Sequence, residues 1–172
     1  MPYMTFADGT ANLPGSLLDG ITLLPCGYTV DDEPRVYNGD IDSFDGKSYY
    51  NKLREGSMIK TTLLNTSLFL ENFTPVLEKG LDVIYISMSS GISGTYQAAK
   101  MAAEELMESF KDRVVRIIDS HGCGFGNGIL AIRSAELAKK GLTATEAADI
   151  LDEEVPHTCQ YFTVDDLNFL KR

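Results

Sequence analysis

The sequence is poor in positive charge: Lys and Arg total 15 against 25 Asp and Glu, a formal net charge of -10. That balance argues against nucleic acid and anionic membrane surfaces as partners, because both are held by a positive field and no Lys/Arg cluster supplies one locally. Cysteine is scarce as well. Cys26, Cys123 and Cys159 are odd in number and scattered in spacing, which speaks against a disulfide framework and fits free thiols in a reducing compartment. No apolar stretch approaches the roughly 18 residues that span a bilayer. Residues 1–8 lack the basic-then-apolar order of a secretory leader, so a cytoplasmic location is expected. Nucleotide signatures are missing: there is no Gly-x-x-x-x-Gly-Lys-Ser/Thr and no Gly-x-Gly-x-x-Gly after the first strand. His121-x-Cys123 has no second pair nearby, which speaks against a metal centre. No cofactor is expected.

What is present is a periodic chain with enough apolar residues, 44%, to build a core. Strand-like runs at residues 3–7, 21–30, 81–87, 114–118 and 161–164 alternate with helical patterns. Leu13-Pro14 reads as a helix start, and the patterns at 44–54, 67–79 and 95–110 read as helices. Residues 35–37 read as a hairpin partner after the turn Asp31-Asp32-Glu33-Pro34. Residues 58–65 read as a hydroxyl-rich connector, and Pro75 predicts a late start or a kink in its helix. A Gly-rich stretch at 122–128 leads into a helix that ends near Lys140. Thr143-Ala144-Thr145-Glu146 resembles a capping box for the next helix. Asp165-Asp166 reads as the cap of a last helical turn. The alternation predicts an α/β fold with an open, mainly parallel sheet and helices on both faces.

In such sheets ligands bind beyond the carboxyl ends of the strands. Three segments qualify, at residues 8–12, 89–95 and 119–124, and Thr61-Thr62 could reach the same edge. Ser89-Ser90-Gly91-Ile92-Ser93-Gly94-Thr95 has the most specific content. Its glycines allow close backbone approach, and the helix that follows offers unpaired N–H groups and a positive dipole end. Ser89, Ser90, Ser93 and Thr95 add hydroxyls. An ordinary helix cap needs one such group, so the segment reads as an anion cradle built of neutral donors. A serine hydrolase using Ser93 and His121, with Asp119, is the alternative. Against it, Thr95 replaces the last Gly of a nucleophile elbow, and Asp119 and His121 stand only two residues apart.

These residues resemble a known signature. Ser89-Ser90-Gly91-Ile92-Ser93-Gly94-Thr95-Tyr96-Gln97-Ala98-Ala99 is similar to the Ser-Ser-x-Leu-Ser-Gly-Thr-Tyr-Gln-x-Ala motif of the DegV family. Asp8-Gly9-Thr10-Ala11-Asn12-Leu13 resembles its opening Asp-Ser-Thr-Ala-Asp-Leu. Lys60-Thr61-Thr62-Leu63-Leu64-Asn65, Ile118-Asp119-Ser120 and residues 162–172 follow in the family's order. Gly9 stands where Ser is usual, and Thr62-Leu63-Leu64-Asn65 replaces a more polar Ser-Gln-Pro-Ser form. The resemblance implies a non-catalytic carrier of a long-chain fatty acid, which some family members present to a fatty acid kinase. It further implies that Thr61, Thr62, Ser93 and Gly94 hold the carboxylate, with Ser90, Thr95 and Arg172 as weaker candidates. By the same resemblance residues 1–172 are the first of two α/β domains, the second being absent from this chain.

Overall fold

The computed structural model describes residues 2–161 and 163. Four strands form a parallel sheet in the order β2-β1-β6-β7, where β1 is Tyr3–Asp8, β2 Ile21–Leu24, β6 Asp82–Ser87 and β7 Val115–Asp119. The two inner strands are buried on both faces, which is why they read as continuous apolar runs. Helices α2 (Thr66–Glu78) and α3 (Thr95–Ser109) cover one face. Their Phe69, Phe73 and Ala102 pack on Phe6, Val83 and Tyr85. Helices α4 (Phe125–Lys139) and α5 (Ala144–Glu154) cover the other, against Ala7, Ile84, Ile86 and Ile118. The expected α/β architecture with helices on both faces is what the chain adopts.

The capping box at the start of α5 forms in full: the Thr143 hydroxyl accepts from the Glu146 N–H while the Glu146 carboxylate accepts from the Thr143 N–H. Helix α2 starts at Thr66, capped by Asn65, and Pro75 neither delays nor interrupts it. Pro75 and Glu71, whose carbonyl loses its N–H partner, are both exposed. The helix expected at Leu13-Pro14 is only a single 3-10 turn, Gly15–Leu17. Of the last strand and helical turn, Tyr161 and Thr163 lie outside any strand. The remainder falls outside the described residues.

The main correction concerns residues 21–30, which are two strands rather than one. Pro25 has no N–H for a ladder and ends β2 at Leu24. Strand β3 (Cys26–Val30) then leaves the parallel sheet and pairs antiparallel with β4 (Glu33–Tyr37) and with β5 (Ile59–Thr61). The connector expected at 58–65 thus contains a strand. The hairpin turn is Asp31-Asp32, both at positive φ (51° and 65°), as a two-residue primed turn requires. Aspartates tolerate this because the turn is anchored: the Asp31 carboxylate accepts from Met58 N–H at 2.8 Å, and Asp32 pairs with Lys60 at 3.0 Å. Helix α1 (Gly46–Arg54) completes this smaller layer: its Tyr49 packs on Tyr28 of β3, and Phe44, just before the helix, packs on Tyr37 of β4.

The chain passes from β1 to β2 on one side and from β6 to β7 on the other. The segments after β1 and β6 therefore flank a topological switch point, the place where an open α/β sheet leaves a crevice. One packing contact there tests the fold. A Cβ on Gly128 would stand 2.7 Å from the Ala11 carbonyl oxygen and 2.9 Å from Leu13 Cδ2. Helix propensity alone would make Gly128→Ala stabilising by about 1 kcal/mol. The backbone contact predicts the opposite, a loss of about 1–3 kcal/mol read as a lower urea midpoint with unchanged slope. A raised midpoint would contradict the α4 packing.

Candidate functional site

The chemistry gathers at the carboxyl ends of β1, β6 and β7. At the end of β1, Asp8 is buried, with 1% of its surface exposed. It accepts hydrogen bonds from the Tyr85 hydroxyl at 2.5 Å, from Thr10 N–H at 2.9 Å and from the Thr10 hydroxyl. Thr10 has given its one hydroxyl hydrogen to Asp8, so its oxygen accepts from Asn127 Nδ2 at 3.1 Å. The network fixes β1, β6 and α4 relative to one another. Burial, with the Asp8 charge adding, holds the Tyr85 hydroxyl well above its ordinary pKa.

The serine loop follows β6. Ser89 N–H donates to the Gly122 carbonyl at 2.8 Å, which ties the loop to the turn after β7. Asp119 adds a second tie, since its Oδ1 accepts from the N–H groups of both Ser90 and His121 at 3.1 Å. Within the loop, the Ser89 carbonyl takes the N–H groups of Ile92 and Ser93, and the Ser89 hydroxyl takes that of Gly91. Ser93 Oγ accepts from Thr95 N–H at 3.2 Å and donates to Thr95 Oγ1 at 3.0 Å. Much of the cradle's donor capacity is therefore used internally. Left without a partner inside the loop are the N–H groups of Gly94, Tyr96 and Gln97 and the exposed Ser90 hydroxyl.

The connector lies beside this loop. Leu64 N–H donates to Thr95 Oγ1 at 3.3 Å, and a Cβ on Gly94 would lie 3.4 Å from Leu63 Cδ2. Thr61 and Thr62 are both exposed and differ in what they do. Thr62 donates to the Gly27 carbonyl at 3.0 Å, whereas Thr61 faces a cleft. The structure thus brings Gly94, Thr95 and the connector together. Arg172 lies outside the described residues.

That cleft, about 560 Å³, opens between the carboxyl edge of the parallel sheet and the smaller layer. Gly9, Thr10 and Cys26 contribute to its lining, and so do the rings of Tyr28, Phe44 and Tyr49. The rings touch one another, with centroids 5.7 Å apart for Tyr28–Tyr49 and 5.3 Å for Phe44–Tyr49. These residues escaped the sequence reading. The available signal was composition: four of the eight tyrosines, at 28, 37, 49 and 50, crowd into one short stretch.

The hydrolase geometry does not form. The Ser93 hydroxyl is engaged with Thr95, and His121 is 68% exposed on its side chain, 3.6 Å from Asp119. Among the described residues no group of His, Cys, Asp and Glu could hold a metal, and no helix is long and apolar enough to cross a membrane.

Fold and site together define a class: an α/β protein with an aromatic-lined apolar cleft beside a hydroxyl loop at its switch point. The DegV family model, described as an uncharacterised protein family, matches residues 5–172. The chain belongs to the DegV family. It is 34% identical over 171 residues to a DegV domain-containing protein of Clostridium perfringens, covering 99% of this chain and 59% of that one. DegV of Bacillus subtilis, a fatty acid binding protein, superposes with a TM-score of 0.80 at 25% identity, over 99% of this chain and 60% of that one. A family member from Thermus thermophilus shares the fold with a TM-score of 0.82 at 24% identity, over 99% of this chain and 59% of that one. The chain spans about three fifths of the length of these relatives.

The cleft makes a prediction about its thiols. Burial, with the Asp8 charge adding, pushes the Cys26 thiol up to about 11. A raised pKa keeps the unreactive thiol form, leaving about one part in a thousand as thiolate at pH 8. Iodoacetamide at pH 8 should modify the exposed Cys123 and Cys159 well before Cys26, and Cys26 labelling should accelerate as pH rises toward 11. Equal labelling of all three at pH 8 in the folded protein would contradict the burial of Cys26.

Proposed function

We propose that this chain is a carrier domain that binds a long-chain fatty acid in a reducing, cytoplasmic setting. The carboxylate would sit at Gly94 and Thr61, with Ser93 joining as its hydroxyl turns from Thr95 and Thr62 as it releases Gly27. Ser90, Thr95 and Arg172 are secondary contacts. The acyl chain would lie in the aromatic cleft. The observation that carries this reading is an apolar, ring-lined cleft whose wall includes Thr61 and Met88, the residue that leads into a loop whose free donors are neutral. The fatty acid binding of the Bacillus subtilis relative supports it.

The magnitudes favour a lipid over a small anion. Burying about fourteen methylenes gives on the order of 10 kcal/mol, at roughly 0.8 kcal/mol each. A hydrogen bond to a charged group adds about 1.5–3 kcal/mol. The tail therefore supplies most of the affinity and the hydroxyls set the orientation. Association costs of roughly 4–15 kcal/mol make the second domain expected from the resemblance a further source of affinity. The Ser93 hydroxyl is held by Thr95 and not by His121, which supports a carrier over a hydrolase. A fatty acid kinase acting on the presented carboxylate is the expected partner.

The experiment is titration with hexadecanoate, followed by native mass spectrometry and calorimetry, on this chain and on Ser93→Ala. Saturable one-to-one binding is expected, weakened about tenfold by Ser93→Ala, as loss of one charged hydrogen bond implies. Absence of any bound acyl chain at saturating lipid would contradict the proposal.

A further inference from the structure

A second cavity of about 280 Å³ lies beside the acyl cleft, and Tyr28, Tyr37, Phe44 and Tyr49 line both. Register explains the continuity. Thr61 and Arg35 each stand opposite Tyr28, so the three side chains share one face of the three-stranded sheet. Two strand spacings separate Thr61 from Arg35 by about 10 Å. Along β3, Cys26, Tyr28 and Val30 lie on that same face over about 13 Å, from the cleft into the second cavity. The aromatic rings are thus a partition along one groove.

The far cavity differs from the near one in charge. It carries Arg35 and Lys52 with a single carboxylate, Asp45, which accepts the Ser48 N–H at 3.0 Å. Arg35 is paired with Glu33 at 2.8 Å, but both are well exposed, so the pair is weak and separable. Lys52 is half-buried and, among the described residues, has no ion pair. An unpaired ammonium beyond an apolar cleft, in a chain of charge -10, calls for an anion at the far end of an apolar ligand.

Resting on the fatty-acid reading above, we propose that the groove accepts long-chain acids carrying a second carboxylate at the far end, α,ω-dicarboxylic acids, with Lys52 as the residue that recognises it. The rings are in contact and part to admit the acyl chain, and Arg35 can turn from Glu33 to join Lys52.

The test compares hexadecanedioate with hexadecanoate by calorimetry on wild type, Lys52→Met and Lys52→Arg, with circular dichroism confirming folding. Lys52→Met should weaken hexadecanedioate about tenfold and leave hexadecanoate within about twofold. Lys52→Arg should restore the diacid. If Lys52→Met alters both acids alike or neither, the assignment of Lys52 is overturned while fatty acid binding stands. If wild type binds neither acid, the fatty-acid reading fails and this proposal with it. Benzoate bound at Lys52 without displacing hexadecanedioate would also overturn the proposal, since the cavity would then be a separate site.

Discussion

A carboxylate with almost no solvent contact anchors the carboxyl edge of this fold. Asp8 ends β1 with no ion pair among the described residues, and its carboxylate is held by the Tyr85 and Thr10 hydroxyls and by Thr10 N–H. A buried charge without such donors would cost several kcal/mol, so the donors must stay in place. Holding them fixes the turn after β1, the height of β6 and, through Thr10 and Asn127, the start of α4. The cleft is built over this network: Thr10 and Cys26 line it, and Asp8 adds to the burial that keeps the Cys26 thiol protonated. The hydroxyl loop begins two residues beyond the strand that carries Tyr85.

Much of this architecture was legible in the sequence. The runs at 81–87 and 114–118 fall on β6 and β7 within a residue or two, because strands buried on both faces leave a continuous apolar signature. The capping box at Thr143 reads directly because its two bonds depend on local spacing alone. The loop at residues 89–95 was equally visible, since hydroxyls and glycines at a strand-to-helix junction have few other uses.

What stayed hidden was non-local. Residues 21–30 read as one strand because every residue but Pro25 and Gly27 suits a sheet. Which sheet β3 would join is decided by its pairing with Thr61, more than thirty positions away. The cleft follows from that pairing. Tyr28, Phe44 and Tyr49 come from a strand, a turn and a helix, and only the turn at Asp31-Asp32 and the hairpin around it bring them together. Ser93 shows the converse: its position was foreseen, but its existing bonds to Thr95 were not.

In this reading the ring-lined cleft takes an acyl chain. The most direct measurement is solution NMR of this chain with carbon-13-labelled hexadecanoate, recording intermolecular nuclear Overhauser effects. Contacts from chain methylenes to the rings of Tyr28, Phe44 and Tyr49 are expected. Contacts confined to the groove between α3 and β7, at Lys100, Met107 and Ile117, would contradict it.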